Sequence, residues 1–308
     1  MRYTTFGRTG LNVSRLSMGC NRLGDPGVDP AQWPPIVQRA LDLGITFFDT
    51  SENYNEGRSE SVLGDVTSKS PIPTVIATKG GFSTGANIVR DYSEAAITKA
   101  GRGSRERLQR PSIEMYMLHS PTVAQLESES WPKAVETLKA EGTIQYFGIS
   151  TSNHESGIRA IEMGADLLQI EYDLLDPTAE DALLPLAIKH DVGIMIRTPL
   201  ARGLLSGKFR AGEAIPAEQQ WRRPTGDRLQ LRLQRIEQLR FLERDGQTLA
   251  QAALRWLLAQ PGVHCVIPGA RTLEQLEANV GAIDGDITAD ELARVKDLHA
   301  AWRAEGSW

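Results

Sequence analysis

The feature that most constrains this chain is an alternation that repeats eight times along its 308 residues. Short apolar runs at 16–19, 46–48, 74–78, 113–118, 144–149, 167–170, 192–196 and 264–267 read as strands. Between and after them, segments of helical periodicity are expected at 33–43, 59–66, 92–108, 131–141, 154–163, 182–190 and 272–280, with Gly44, Gly142 and Gly164 as C-terminal stops. Eight strand-then-helix units without a break in composition argue an α/β fold, a (β/α)8 barrel formed by one domain over residues 1–308. The opening stretch, YTTFGRTGLNVSRLSMG, carries Gly7 and Gly10 between strand-like runs and reads as an N-terminal β-hairpin placed to plug one end of the barrel.

Two parts depart from the alternation. Residues 209–226, rich in Gly, Pro and charge, read as a long loop after the seventh strand, and loops of that length are usually functional. Trp221 within it either covers a substrate or pins the loop. Helices at 227–243 and 248–259 then precede the eighth strand, and 288–302 forms the last helix, where Trp302 and the terminal Trp308 either reach the barrel mouth or pack on outer helices.

Composition narrows the function classes. With 41% apolar and 24% charged residues the chain is an ordinary globular protein, and no apolar run approaches the roughly 20 residues of a membrane helix. The N-terminus lacks the apolar core of a secretory signal, so a cytoplasmic protein is expected. A net charge of −5 with dispersed basic residues disfavours a nucleic-acid partner. Cys20 and Cys265 make neither a disulfide framework nor a metal cluster, and a monomer is the default. His154 reads as a cap on the helix that follows it, and His190 as a helix C-terminal residue.

The chemistry sits at strand ends. FFDTSENYNEGRSESVLG (47–64) places Asp49 at the close of an apolar run and Tyr54 five residues on, TVIATK ends on Lys79, and IEMYMLH ends on His119. In a barrel of this kind the C-terminal ends of the strands form the working face. Tyr54 is the group able to lend a proton to a developing alkoxide. A free phenol, with a pKa of about 10, exchanges protons poorly at neutral pH. A neighbouring ammonium stabilises the phenolate, so Lys79 would tune Tyr54, Asp49 would hold Lys79, and His119 would direct a hydrogen bond to a carbonyl oxygen. No side chain supplies a hydride, so reduction requires a nicotinamide. The absence of GxGxxG after a first strand disfavours a Rossmann site.

Asp49, Tyr54, Lys79 and His119 together resemble the catalytic tetrad of the aldo-keto reductases, and the resemblance runs from TTFGRTGLNVSRLSMG to the last helix. It implies an NADP(H)-dependent reductase of a small-molecule carbonyl substrate, with Asp49 also beside the cofactor. It further implies that Ser150 and Gln169 bind the nicotinamide carboxamide and that Gly19 lies under the cofactor. IRTPLARGLLSGKF would cover the pyrophosphate through Pro199, Leu200, Gly203, Ser206 and Lys208, and VIPGARTLEQLEANV would hold the adenosine phosphate through Gly269, Arg271, Gln275 and Asn279. The residues agree with this. A small-residue loop with a lysine suits phosphates, and an arginine at a helix start suits a 2′-phosphate. Two positions depart from the family pattern. Thr151 stands where many members have Asn, and Arg197 where an aromatic residue often stacks on the nicotinamide. Arg197 either stacks there, disfavouring the cationic oxidised ring, or turns to a carboxylate such as Glu171. Readings kept beside this one are an NAD-linked sugar or alcohol dehydrogenase of the same fold, a slow-turnover NADPH-binding regulatory subunit, and a Schiff-base aldolase using Lys79.

Overall fold

The computed structural model describes residues 1–83, 89–128, 130–213, 215 and 223–306. Trp221, Trp308 and much of the expected 209–226 loop lie outside the described residues. The chain opens with β1 (Tyr3–Thr5) paired antiparallel to β2 (Asn12–Ser14), the expected hairpin. Then β3 (Met18–Gly19), β4 (Phe47–Asp49), β5 (Val75–Gly80), β8 (Ile113–His119), β9 (Ile144–Thr151), β10 (Leu167–Glu171), β11 (Gly193–Arg197) and β12 (Cys265–Ile267) form one parallel eight-stranded sheet. Parallel bridges Leu16↔Val266 and Gly19↔Gly269 join its first strand to its last, making the (β/α)8 barrel.

Helices α1 (Trp33–Asp42), α2 (Arg58–Thr67), α3 (Glu94–Arg107), α5 (Trp131–Ala140), α6 (His154–Glu162) and α7 (Leu183–Lys189) follow successive strands, as the periodicity requires. Each buries an apolar stripe on the outer face of the sheet, within one continuous core. A second, smaller cluster fills the lumen: Phe47, Ala77, Met115, Met117, Leu167, Met195 and Cys265 point inward beneath the mouth. Phe6, from the hairpin turn, closes this cluster from below. The close approach there needs glycine. A Cβ on Gly7 would lie 2.5 Å from the Gly193 nitrogen, and Gly7 has φ +49°.

The structure adds elements that the sequence reading lacked. A hairpin of β6 (Phe82–Ser83) and β7 (Val89–Arg90) follows β5, so α3 starts at Glu94 with the Ser93 side chain as its cap rather than at 92. A short helix α4 (Val123–Ser128) precedes α5. The expected helix 227–243 is α8 (Gly226–Leu239) followed by a 3-10 turn at Arg240–Leu242. The helices α9 (Leu249–Ala259), α10 (Leu273–Val280) and α11 (Ala289–Ala304) complete the chain. The cap of α6 is Asn153, whose side chain accepts from the Ser156 nitrogen, so His154 is the first helical residue and not the cap. Trp302 packs outside the barrel, with its indole N–H donated to Gln238 on α8 at 2.7 Å. Among the described residues no helix is long and apolar enough to cross a membrane, and no cluster of His, Cys, Asp or Glu could hold a metal ion.

Candidate active site at the barrel mouth

Strands β4, β5 and β8 are neighbours in the sheet, and this adjacency brings three chemistry-bearing strand ends together. Asp49 is the last residue of β4 and His119 the last of β8, while Lys79 lies one residue before the end of β5. Tyr54 follows β4 in a turn, beside Asn55 and Glu56 with φ of 51° and 58°. Of the eight non-glycine residues with positive φ among the described residues, Asn55, Glu56, Ser120, Thr198, Ala201 and Arg202 all follow the C-terminal ends of barrel strands. Left-handed backbone at non-glycine residues is costly, and it concentrates at the face that carries the candidate site.

Lys79 is fully buried and Asp49 nearly so. The Lys79 ammonium donates to Asp49 Oδ1 and to the Thr50 carbonyl, each at 2.7 Å, and reaches the Tyr54 hydroxyl at 3.4 Å. Burial pushes the Lys79 pKa down, but Asp49 and Tyr54 outweigh it and hold Lys79 above the ordinary lysine value. The site therefore keeps a cation against a half-buried phenol. His119 stands edge-on to Tyr54, ring centroids 6.0 Å apart, with Nδ1 3.1 Å from Ser51 Oγ. Phe82 also packs against the His119 ring, centroids 5.1 Å apart. Ser51 and Phe82 are partners that sequence reading missed. Ser51 could have been suspected from its place between Asp49 and Tyr54, whereas Phe82 owes its position to the pairing of β6 with β7. Cys20 is a buried thiol next to this group, and burial raises its pKa well above the usual range, so it remains protonated packing material.

The expected cofactor residues spread across the same face. Gly19 bridges to Gly269, and a Cβ on Gly269 would meet nothing within 4 Å, which leaves open space at that point of the mouth. Within the segment from Pro199 and Leu200 to Lys208, Ala201–Ser206 fold as a 3-10 turn with Arg202 and Gly203 left-handed. That turn carries Ser206 Oγ, which is buried and without a hydrogen-bond partner; the Arg197 Nε on β11 is in the same state. Arg271 is exposed just before α10, whose N-cap is Thr272. Gln275 is turned back to accept from the Arg271 nitrogen at 2.8 Å, and Asn279 donates to the Gly269 carbonyl at 3.2 Å. These two stiffen the loop around Arg271. Arg223, which sequence reading also missed, lies over Phe209 and donates to the Arg202 carbonyl at 2.9 Å. Burial lowers its pKa, and so does the neighbouring Arg271. Orphaned polar atoms, open glycine and clustered cations fit a phosphate-bearing dinucleotide.

Ser150 and Gln169 are buried, hydrogen-bonded to each other at 2.9 Å. Thr151 is engaged with the backbone of Asn153. Arg197 pairs with Glu171 at 3.1 Å, and Arg202 shares the same carboxylate oxygen at 2.9 Å. One acid thus serves two guanidinium groups, and of the two alternatives for Arg197 the structure shows the turn to Glu171.

The model of the aldo/keto reductase family matches residues 15–300. The chain is 33% identical to the uncharacterised oxidoreductase YrpG of Bacillus subtilis, over 97% of this chain and 96% of that one. It is 29% identical to a probable voltage-gated potassium channel subunit beta of Arabidopsis thaliana, over 92% of each. Among solved structures it resembles the holo form of an aldo-keto reductase from Bacillus halodurans, with a TM-score of 0.79, 31% identity and coverage of 97% and 96%. It also resembles a glycerol dehydrogenase from Gluconobacter oxydans, with a TM-score of 0.80, 25% identity and coverage of 98% and 95%. With the family model covering nearly the whole chain, and its fold matched by solved aldo-keto reductases, this protein belongs to the aldo/keto reductase family.

Proposed function

We propose that this chain is a cytoplasmic, monomeric NADPH-dependent reductase of an aldehyde or ketone, working as one unit over residues 1–308, with Tyr54 as its general acid. The observation that carries the reading is the wholly buried Lys79, held by Asp49 and facing the Tyr54 hydroxyl at 3.4 Å. The nicotinamide, when bound, supplies the hydride. The protein's own residues do the rest. Tyr54 donates its proton to the oxygen of the former carbonyl, and the Lys79 ammonium stabilises the phenolate left behind. Asp49 keeps that ammonium in place. His119, set by Ser51, orients the substrate oxygen. A Schiff-base role for Lys79 is disfavoured by the same geometry, because the ammonium is committed to three acceptors and held charged. The same set runs backward as an alcohol dehydrogenase, and the resemblance to a glycerol dehydrogenase supports that second direction.

Preference for NADPH over NADH is read from Arg271, which projects from the start of α10 beside Arg223. Titrating the intrinsic fluorescence of NADPH with wild type and Arg271→Ala is the test. A lost charge-assisted contact of about 1.5–3 kcal/mol predicts affinity for NADPH weakened by roughly 10- to 100-fold, toward the NADH value. Equal affinities of wild type for the two nucleotides would remove the NADP assignment.

Arg197 gives a separate expectation. Arg197, which shares Glu171 with Arg202, stands where the family resemblance would bring an oxidised nicotinamide and its positive charge. Arg197→Trp is expected to tighten NADP relative to NADPH by about 1.5- to 5-fold, on the scale of one exposed like-charge contact. An unchanged ratio of the two dissociation constants would show that Arg197 does not act on the ring.

A further inference from the structure

Gln169 makes a contact that a carboxamide ligand role does not explain. It stands on β10, and Asp49 on β4; in the order β12-β11-β10-β9-β8-β5-β4-β3 these strands are four apart, so they face each other across the lumen of a closed eight-stranded barrel. The Gln169 Nε2 nevertheless reaches Asp49 Oδ1 at 2.6 Å, the same oxygen that accepts from Lys79 at 2.7 Å. A carboxylate facing an ammonium offers only acceptors, so the atom turned to Asp49 is the amide nitrogen and the oxygen is turned to Ser150. Ser150 must then spend its one hydroxyl hydrogen on Gln169 Oε1, at 2.9 Å. The second Nε2 hydrogen lies toward Met195 Sδ at 3.4 Å, on the neighbouring strand β11. Both amide hydrogens are committed. Gln169, Asp49, Lys79 and Ser150 are each at least nine-tenths buried, so water does not compete for these bonds.

We infer that Gln169 is a positioning residue for the proton donor: anchored by Ser150, it fixes the Asp49 carboxylate from across the barrel, and through it the Lys79 ammonium opposite Tyr54. A nicotinamide carboxamide would then meet Gln169 only through the remaining acceptor capacity of Oε1, a weaker hold than the residue's family role implies. The inference rests on the reductase reading for its consequence in turnover, while the Gln169–Asp49 link stands on geometry alone. Among the described residues, the partner of the Asp49 carboxylate from its own side of the lumen is Lys79, the flexible side chain that Asp49 must itself hold in place. A second donor with a planar, buried amide removes that freedom, and small displacements of catalytic groups are costly to rate.

Gln169→Met conserves volume and removes the donor. At saturating NADPH, with benzaldehyde as the probe substrate, it is expected to lower kcat about tenfold or more while the NADPH dissociation constant, read by fluorescence, stays within about threefold. The reverse split, a dissociation constant weakened by about tenfold or more with kcat within about threefold, makes Gln169 a cofactor ligand and overturns the inference. A second readout needs no turnover. In full-length protein with 15N in its glutamine side chains, the Gln169 amide pair, identified by its loss in Gln169→Met or Gln169→Asn, is expected to shift in Asp49→Asn, because a charge-assisted bond is exchanged for a neutral one. An unmoved pair overturns the inference even where the reductase reading holds. Failure of wild type to bind NADPH would instead sink the reductase reading, with the amide shift still deciding the Gln169–Asp49 link.

Discussion

Tyr54→Phe is expected to lower kcat by about 10²- to 10⁴-fold, the usual contribution of a positioned general acid. NADPH affinity should stay within about twofold of wild type, since in the proposed mechanism the hydroxyl acts on the substrate oxygen and not on the nucleotide. The substitution removes one atom. The ring keeps its edge-on contact with His119 at 6.0 Å and its place 5.0 Å below the Lys79 ammonium. Lys79 loses its longest partner, at 3.4 Å, and retains Asp49 and the Thr50 carbonyl at 2.7 Å each. Folding is therefore preserved, and the measurement isolates chemistry. Steady-state rates with benzaldehyde, paired with a fluorescence titration of NADPH, decide it: a kcat within threefold of wild type would mean that Tyr54 is not the proton donor.

Lys79→Met should damage both stability and turnover. Truncating one member of a buried ion pair leaves the other charge in a low-dielectric site, a loss of about 3–5 kcal/mol. Gln169 would be the remaining donor to Asp49 Oδ1, at 2.6 Å. For a chain of 308 residues that corresponds to a fall in Tm of roughly 5–8 °C. The pH dependence carries a sign. Burial depresses the Lys79 pKa, yet Asp49 and Tyr54 lift it above its unfolded value, so the folded state binds this proton more tightly than the unfolded chain does. Stability from the charged lysine is complete below the unfolded pKa of about 10.4 and is lost as pH rises through the folded value. The Tm gap between wild type and Lys79→Met should accordingly be constant from neutral pH to about 10 and narrow above it. A gap that widens in alkali would contradict the raised pKa, and the absence of any gap would contradict the buried pair.

The barrel was legible because its signals are local. A run such as TVIATK or IEMYMLH declares a strand through its own residues, and Gly44, Gly142 and Gly164 mark helix ends by their left-handed backbone, φ +84°, +69° and +92°. The β6–β7 hairpin was not legible, since Phe82–Ser83 and Val89–Arg90 are two residues each, too short for any periodicity. α4, six residues long, escaped for the same reason. The four catalytic candidates could be read because each stands at or just after the end of an apolar run, and the order of strands in a (β/α)8 barrel makes consecutive strand ends neighbours.

Partners were another matter. From the sequence, Arg197 had two alternatives that local pattern does not rank, and Gln169 had a role toward the cofactor but no protein partner. Only closure of the barrel decided that Gln169 reaches Asp49, 120 residues away in the chain, and only the in-register pairing of Glu171 with Arg197 on adjacent strands set their side chains together. The complete burial of Lys79 has the same origin, because a lysine at a strand end is exposed until neighbouring strands and the loop after β4 wall it in. The chain's own residues thus determined which elements form and what chemistry each strand end carries. The tertiary structure decided which groups face each other in the lumen and at which charge, because hydrogen bonds and ion pairs depend on distances that arise only once eight separate strands share one barrel.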